Sequence, residues 1–448
     1  MRRVILTFAV ALYAAGAQAQ STALPEGLEG LGSGTGPILD ATSAAAIGED
    51  TVAPGTGAGP RVSGFLEMRH AGRLQNDPLQ GDAPLSELRF HLDAEAGHDV
   101  IWTLAVDGIL DDVGNADIDL RTGEGPIDLR EAHVFFRLSD RIDVRAGRQI
   151  LTWGTGDMIF INDLFPKDYP SFFAGRADDY LKAPVDAIRV SGYFDVVNVD
   201  LAVMAPGQTD RIVTGERLSF TDPATGQPSA TAPRLDRPDG IETALRLYRT
   251  FGSWEGALYG YSGHWKSPAG QDSQGRGIFP RLNVLGASLR GPLLGGIGYA
   301  EIGHYDSVED RDGTDPKIAN SEWRLLLGHE REIAQNTTLG LQYSRTKMSH
   351  HDASRAALPM GAVAVPELRD VATLRLTRLF LNQTLQASAF LLHAPDHKDG
   401  RIRLSANYDV NDALSVGLGL SKFYGDRDTP FGQFRDASAL SISARWSF

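Results

Sequence analysis

The residues best suited to chemistry lie together between Gly147 and Pro184. The segment runs Gly147-Arg148-Gln149, then Trp153-Gly154-Thr155-Gly156-Asp157, then Asn162-Asp163-Leu164-Phe165-Pro166-Lys167-Asp168, and carries Arg176, Asp178 and Asp179 further on. Carboxylates, cationic groups and aromatic rings in one stretch suit the holding and filtering of a small molecule more than the breaking of a bond. The chain has no Cys, so no thiolate is available as nucleophile or metal ligand. It also lacks a Gly-x-Ser-x-Gly elbow, a phosphate loop and a dinucleotide fingerprint. Long loops are uncommon without a task. An aromatic loop left outside a protein would be an exposed apolar patch, so residues 152–183 are predicted to fold inward and narrow whatever space they enter. The candidate filter residues are Arg145, Arg148, Trp153, Asp157, Asp163, Lys167, Asp168 and Arg176. Arg148 falls on the apolar face of Ile142, Val144 and Ala146, and a bulge near Arg148-Gln149 is predicted to turn it inward.

Other constellations offer less. Glu309-Asp310-Arg311-Asp312-Gly313-Thr314-Asp315 resembles a calcium loop but lacks the required downstream Glu, so Asp310, Asp312 and Asp315 are weak metal candidates. His350-His351 and His393-x-x-x-His397 stand in polar surroundings without a paired carboxylate motif. No enzyme activity and no cofactor is expected.

The elements that must position the filter residues follow a period of two. Leu88, Phe90 and Leu92 alternate with Arg89, His91 and Asp93; Leu440, Ile442, Ala444 and Trp446 alternate with Ser441, Ser443, Arg445 and Ser447. Such alternation places one set on each face of a sheet. Strands read this way begin at Arg61 and recur to the last residue. Their connections alternate between tight (Gly97-His98-Asp99, Ser139-Asp140, Gly252-Ser253, Val410-Asn411) and long (111–126, 152–183, 206–239, 349–366). That pattern predicts an all-β fold: a closed, antiparallel, up-and-down transmembrane β-barrel of about 18 strands, 16 also being compatible, with short periplasmic turns and long extracellular loops. Aromatics toward strand ends, among them Trp102, Phe194, Tyr259, Tyr261, Trp323, Phe380, Phe390, Tyr408 and Phe423, are read as interfacial girdles.

Composition agrees with export to a membrane. Met1-Arg2-Arg3, an apolar stretch from Val4 to Ala15 and Ala17-Gln18-Ala19 have the anatomy of a cleaved signal peptide, residues 1–19. Residues 20–60 are rich in Ser, Thr, Ala, Gly and Pro and read as a flexible periplasmic segment; the barrel is assigned to 61–448. Lys+Arg number 43 against 57 Asp+Glu, a formal charge of −14, which argues against a nucleic-acid partner. A mean hydropathy of −0.20 excludes a bundle of spanning helices but not a barrel.

A barrel this wide encloses an aqueous lumen, and the polar face of the strands is predicted to line it with Arg69, Arg89, Arg130, Arg145, Arg189, Arg246, Arg249, Arg324, Arg345, Arg375 and Arg403. Acidic neighbours such as Glu67, Asp93, Asp186, Glu242 and Glu301 would pair with some of them across strands; an arginine ladder steering an anionic solute is the sharper alternative. Gly147-Arg148-Gln149, Trp153-Gly154, Asn162-Asp163 and Pro166-Lys167-Asp168 resemble a motif shared by large proteobacterial outer-membrane barrels, and the terminal Trp446-Ser447-Phe448 resembles the signature read by the barrel-assembly machinery. The resemblance implies a Gram-negative outer-membrane, porin-type channel for passive passage of small solutes, filtered by loop 152–183, with lipid and lipopolysaccharide around it. Homotrimer and monomer are both compatible. Two other readings stay open on the residues alone: an outer-membrane component of an envelope transport or export system docking through residues 20–60, and a barrel that anchors an enzyme or scaffold.

Overall fold

The computed structural model describes residues 59–448 apart from 115, 116, 122, 124, 222–226 and 360–363; the expected signal peptide and nearly all of segment 20–60 lie outside them. Eighteen strands form one sheet. In chain order they are β1 (Arg61–Arg73), β2 (Leu85–Gly97), β3 (Val100–Asp111), β4 (Ile127–Ser139), β5 (Ile142–Gln149), β6 (Val185–Tyr193), β7 (Asn198–Met204), β8 (Glu242–Phe251) and β9 (Trp254–His264). The second half comprises β10 (Arg281–Leu293), β11 (Gly296–Ser307), β12 (Glu322–Ala334), β13 (Thr337–Met348), β14 (Leu368–Phe380), β15 (Leu385–Ala394), β16 (Asp399–Asp409), β17 (Leu414–Tyr424) and β18 (Ala439–Ser447). Each pairs antiparallel with its sequence neighbour, and β18 returns to β1 in the register Phe65↔Ser447 through Arg73↔Ala439. Backbone bonds between Gly64 and Phe448 in both directions finish the seam. The sheet therefore has no edge, as hydrocarbon requires.

Closure inverts the usual arrangement of polarity. On β2, Leu88 and Phe90 point outward and are exposed, whereas Glu87 and Arg89 are buried within the barrel. On β10, Leu285 and Leu289 are exposed while Leu282, Val284 and Ser288 are buried. The apolar face is the outer face, so hydrophobic burial of that set requires lipid.

Short turns gather at one rim and long connections at the other, with the four-residue 395–398 link between β15 and β16 as the brief member of the long set. Exposed Trp102, Phe194, Phe251, Phe380, Tyr408 and Trp446 ring the turn rim. The girdle expectation fails for Tyr259, Tyr261, Phe390 and Phe423, which face inward and are buried. Their lumen-facing parity, read off the ladder, decides this, not their nearness to a strand end. Parity also corrects three charges expected in the lumen. Arg345 points outward and pairs with Asp370 at 2.7 Å, Arg249 lies outward with Val196 O, and Asp186 is outward beside Arg148.

The outer face carries a direct test. Leu285 is 72% exposed near the middle of β10; Leu285→Arg is expected to cost about 2–4 kcal/mol in a bilayer. Denaturant unfolding of the barrel in phospholipid vesicles measures it, and an unchanged midpoint would contradict the outward assignment.

Candidate functional site: a loop across the barrel interior

The connection between β5 and β6, residues 150–184, enters the barrel and touches two unlike walls. Its first half is apolar and packs on an apolar wall: Leu151, Trp153, Ile161, Leu164 and Phe165 form one cluster with inward residues of β6 to β12, including Met204, Tyr248, Tyr259, Val284 and Tyr305. Trp153 meets the edge of Phe165 at 4.9 Å between ring centroids and tilts against Tyr259 at 6.3 Å. Such aromatic pairs add about 0.5–1.5 kcal/mol beyond burial.

Within this apolar contact sits one carboxylate. Glu301 on β11 is buried and accepts from Gly156 N at 2.9 Å, Asn162 N at 3.0 Å, Asn162 Nδ2 at 2.8 Å and Thr155 Oγ1 at 2.9 Å, with Thr155 N as a further donor. These loop donors replace the water that a carboxylate would otherwise lose on burial. Two features let the backbone come so close: Gly154 has a φ of 85° and a Cβ there would stand 2.9 Å from Glu301.

The second half of the loop is polar and docks on an arginine wall made by β14, β16, β18, β1, β2 and β4. Helix α1 (Tyr169–Ala174) starts at Asp168, whose side chain accepts from Ser171 N, and ends at Gly175 in the left-handed region. A 3-10 turn, Asp178–Leu181, follows. Tyr180 lies between the guanidinium groups of Arg89 and Arg130, at 4.3 and 4.9 Å. Arg176 binds Glu87 at 2.8 Å, and Asp178 binds Arg375 at 3.3 Å and also Arg403. Carbonyls of Gly175, Arg176 and Lys182 accept from Arg69, Arg403 and Arg130 at 3.3, 3.1 and 2.8 Å. Asp157 reaches Arg375 at 2.9 Å. Burial pushes the Asp157 carboxyl up to about 6 against the pull of Arg375, with Asp178 and Glu330 adding to the rise. Burial also opposes the Asp178 charge, but Arg403 and Arg375 outweigh it and hold that carboxyl below its ordinary value.

The sequence-predicted residues divide into three groups. Asp157 and Arg176 stand where the loop meets the arginine wall. Trp153, Asp163, Lys167 and Asp168 hold the loop together: Asp163 accepts from Thr152 Oγ1 at 2.8 Å and pairs with Lys167 at 3.0 Å, Lys167 lies over Phe160, and Asp168 pairs with Arg211 at 3.0 Å. Arg145 faces inward on β5 opposite Arg189, away from these contacts. Arg148 is the correction. The ladder runs through Ala132↔Arg148 and Arg148↔Asp186 without interruption, and Arg148 stays outward in a bidentate pair with Asp186 at 2.8 and 3.0 Å. Register shifts occur instead at Ala105/Val106, Arg137/Ser139 and Glu332/Ala334. Of the weak metal candidates, Asp310 accepts from Thr314 N and Asp315 N, and Asp315 accepts from Lys317 N. Among the described residues no group of three or more His, Asp or Glu could hold a metal ion.

Sequence reasoning missed Arg401, Arg445 and the second loop that shapes this region. The described part of the connection between β7 and β8, residues 205–221 and 227–241, crosses the loop rim. Arg211 bridges Asp128 at 2.8 Å and Asp168 at 3.0 Å, and Leu218 joins Phe423, Phe434 and Ala437 in a buried cluster. A cavity of about 230 Å³ lies between the loops, lined in part by Asp111, Asp168, Arg176, Arg211 and Arg217. The length of 205–241 and its paired Arg211 and Arg217 were the available signal.

No protein-family model and no curated protein sequence matches the chain. Solved structures do. OccAB4 of Acinetobacter baumannii superposes with a TM-score of 0.54 at 11% identity, over 88% of this chain and 99% of that one. OccK2 (OpdF) of Pseudomonas aeruginosa gives 0.52 at 15% identity, covering 87% and 97%, and its complex with glucuronate gives 0.51 at 14%, with the same coverage. At such identities the likeness is one of fold: this chain has the barrel fold of outer-membrane porins.

Glu301 is the contact whose loss should free the loop. Glu301→Ala strands several donors at once, and protease cleavage within 150–184 is expected to become rapid in micelles while the unmodified loop stays intact. Equal resistance would show that the loop is held elsewhere.

Proposed function

We propose that the protein is a Gram-negative outer-membrane channel through which small solutes pass without energy input, with the 150–184 loop as its filter. The observation that carries this reading is the loop's position: it spans the interior between an apolar wall and an arginine wall and leaves charged groups of both signs where it meets the arginine wall. A closed barrel of this width encloses more volume than its own side chains fill, so the loop sets the smallest opening. The apolar outer face and turn-rim aromatics support residence in a bilayer, and the porin fold supports the outer membrane as its location.

Selectivity follows from charge. Arg69, Arg375, Arg403 and Arg445 are the partly exposed members of the basic wall, Arg89, Arg130 and Arg401 lie buried within it, and acidic partners such as Glu67, Glu87 and Asp107 are buried against them. Asp157, Asp178, Arg375 and Arg403 are the groups we assign to the constriction. Arginines that keep donors toward the solution favour anions. The complex of OccK2 with glucuronate shows a sugar acid held by a protein of this fold; an anionic organic solute is the class we propose here.

Two measurements in planar bilayers test the reading. Purified protein is expected to give stepwise ohmic conductance that grows severalfold when residues 155–180 are deleted; no conductance in either form would contradict it. Second, Asp157 gains a proton as pH falls through about 6. The groups around it are Arg375, Asp178, Glu330, Tyr299 and Lys182. Loss of its negative charge leaves Arg375 less compensated, so anion preference in a salt gradient should rise between about pH 7 and about pH 5, and Asp157→Asn should be flat across that range. A pH-independent reversal potential in the unmodified channel would count against Asp157 as a constriction group.

A further inference from the structure

One carboxylate of the chain occupies the arginine wall in the manner of a ligand. Asp178 Oδ2 takes a hydrogen bond from Arg375 Nη1 at 3.3 Å and Asp178 Oδ1 takes one from Arg403 Nη1. These arginines stand on β14 and β16, with β15 between them, and converge on a single carboxylate. Arg401 lies two residues from Arg403, fully buried, with the rings of Phe172 and Phe423 at 4.3 and 5.2 Å. It donates from Nε to Ser421, but neither of its Nη atoms has a hydrogen-bond partner among the described residues. Arg375 and Arg403 thus meet two loop carboxylates, Asp178 and Asp157, and buried Arg401 beside them leaves the corner with a positive surplus.

We infer that Arg375 and Arg403 form a carboxylate-binding site whose resident occupant is the loop's own Asp178, and that a solute carboxylate binds by exchanging with it. The inference deepens the channel reading and, for the crossing of solute, rests on it. The side chains of Arg375, Arg403 and Asp178 are 22%, 20% and 16% exposed, so the site opens to solution. Other groups also hold the loop tip in place: Tyr180 packs on Arg89 and Arg130, Arg176 pairs with buried Glu87, and the Arg176 carbonyl accepts from the second Nη of Arg403 at 3.1 Å. Rotation of the Asp178 side chain vacates the site while those anchors stay. Asp178 also opens a four-residue turn whose preceding residue, Ala177, supplies no side-chain cap. The occupant is therefore held chiefly by the two arginines.

A tethered competitor acts as though present at about millimolar concentration. It keeps the two cations paired when no solute is there, and it admits a free carboxylate only when that carboxylate is abundant or makes additional contacts. Chloride, which cannot bridge both guanidinium groups with two oxygens, is a poor displacer.

Acetate is the probe. Titration of ¹³C-acetate into the full-length protein in micelles, at constant chloride and followed by line broadening, reports binding without any need for conduction. The unmodified protein is expected to half-saturate in the millimolar range. Asp178→Asn removes the competitor's charge and should bind acetate about tenfold more tightly. Asp178→Glu restores a tethered carboxylate and should return the weak value, and Arg403→Gln should abolish binding in either background. An affinity in Asp178→Asn that is unchanged, within twofold, or weaker would overturn the inference. Heat-modifiable electrophoretic mobility checks that each variant is folded; should Asp178→Asn not fold, Asp178→Ser serves in its place under the same criterion. Bilayer conductance of the same samples separates the two readings. Anion-selective conductance with an unaltered acetate affinity in Asp178→Asn sinks the exchange and leaves the channel, whereas tighter acetate binding in a protein that never conducts sustains the site and sinks the channel.

Discussion

Backbone amides cannot be left unpaired in hydrocarbon, and that single constraint dictates the rest of this molecule. The sheet has to return to its own first strand, which it does along the Phe65 to Arg73 seam with β18. A sheet of eighteen strands closed in this way surrounds a space too wide for its own side chains to fill. Its outer face must be apolar and its inner face is free to be charged. The interior then needs an occupant that satisfies the charges facing it while leaving a route for solute.

The 150–184 loop meets that requirement by being two-sided. Its first half carries Trp153, Ile161 and Phe165 onto a wall of tyrosines and aliphatic groups, where burial of apolar area holds it. Its second half carries Tyr180, Asp178 and Arg176 onto guanidinium groups, where hydrogen bonds to charged partners hold it. Glu301 belongs to the apolar side, and the groups that hydrogen-bond to it are neutral backbone and side-chain donors of the loop. The carboxylate therefore ties loop geometry to barrel geometry. The 205–241 loop reinforces the arrangement from above through Arg211, which joins Asp128 of β4 to Asp168 of the filter loop.

Much of this was legible in the residues. Alternation such as Leu88/Arg89/Phe90 shows which set shares a face, and the tight and long connections show how the strands are strung, so the number and order of strands followed. The unusual composition of 147–184 marked the segment that enters the barrel. What sequence could not reveal is parity relative to lipid where both sets are mixed. Arg148 was expected to turn inward through a bulge, but Asp186 on the neighbouring strand offers it a bidentate partner on the outer face, and the ladder needs no irregularity. Arg345 is outward for the same reason, with Asp370. Arg445 reaches Glu67 because closure brings β18 beside β1, a proximity between residues far apart in the chain, and Arg401 joins the same wall two residues from Arg403 on β16. Asp163 and Lys167 have the types of filter residues but are spent on each other.

The claim at the centre of this account is that the charged tip of the loop rests on the arginine wall inside the barrel. The chain has no Cys, so Asp178→Cys and Arg403→Cys can be combined in an otherwise thiol-free protein and treated, in intact outer-membrane vesicles, with a short bifunctional maleimide. Tyr180 and Arg176 still anchor the tip in that variant. The account predicts rapid joining of the two thiols into a cross-linked species of altered mobility. Full labelling of each thiol separately, with no cross-link between them, would contradict it.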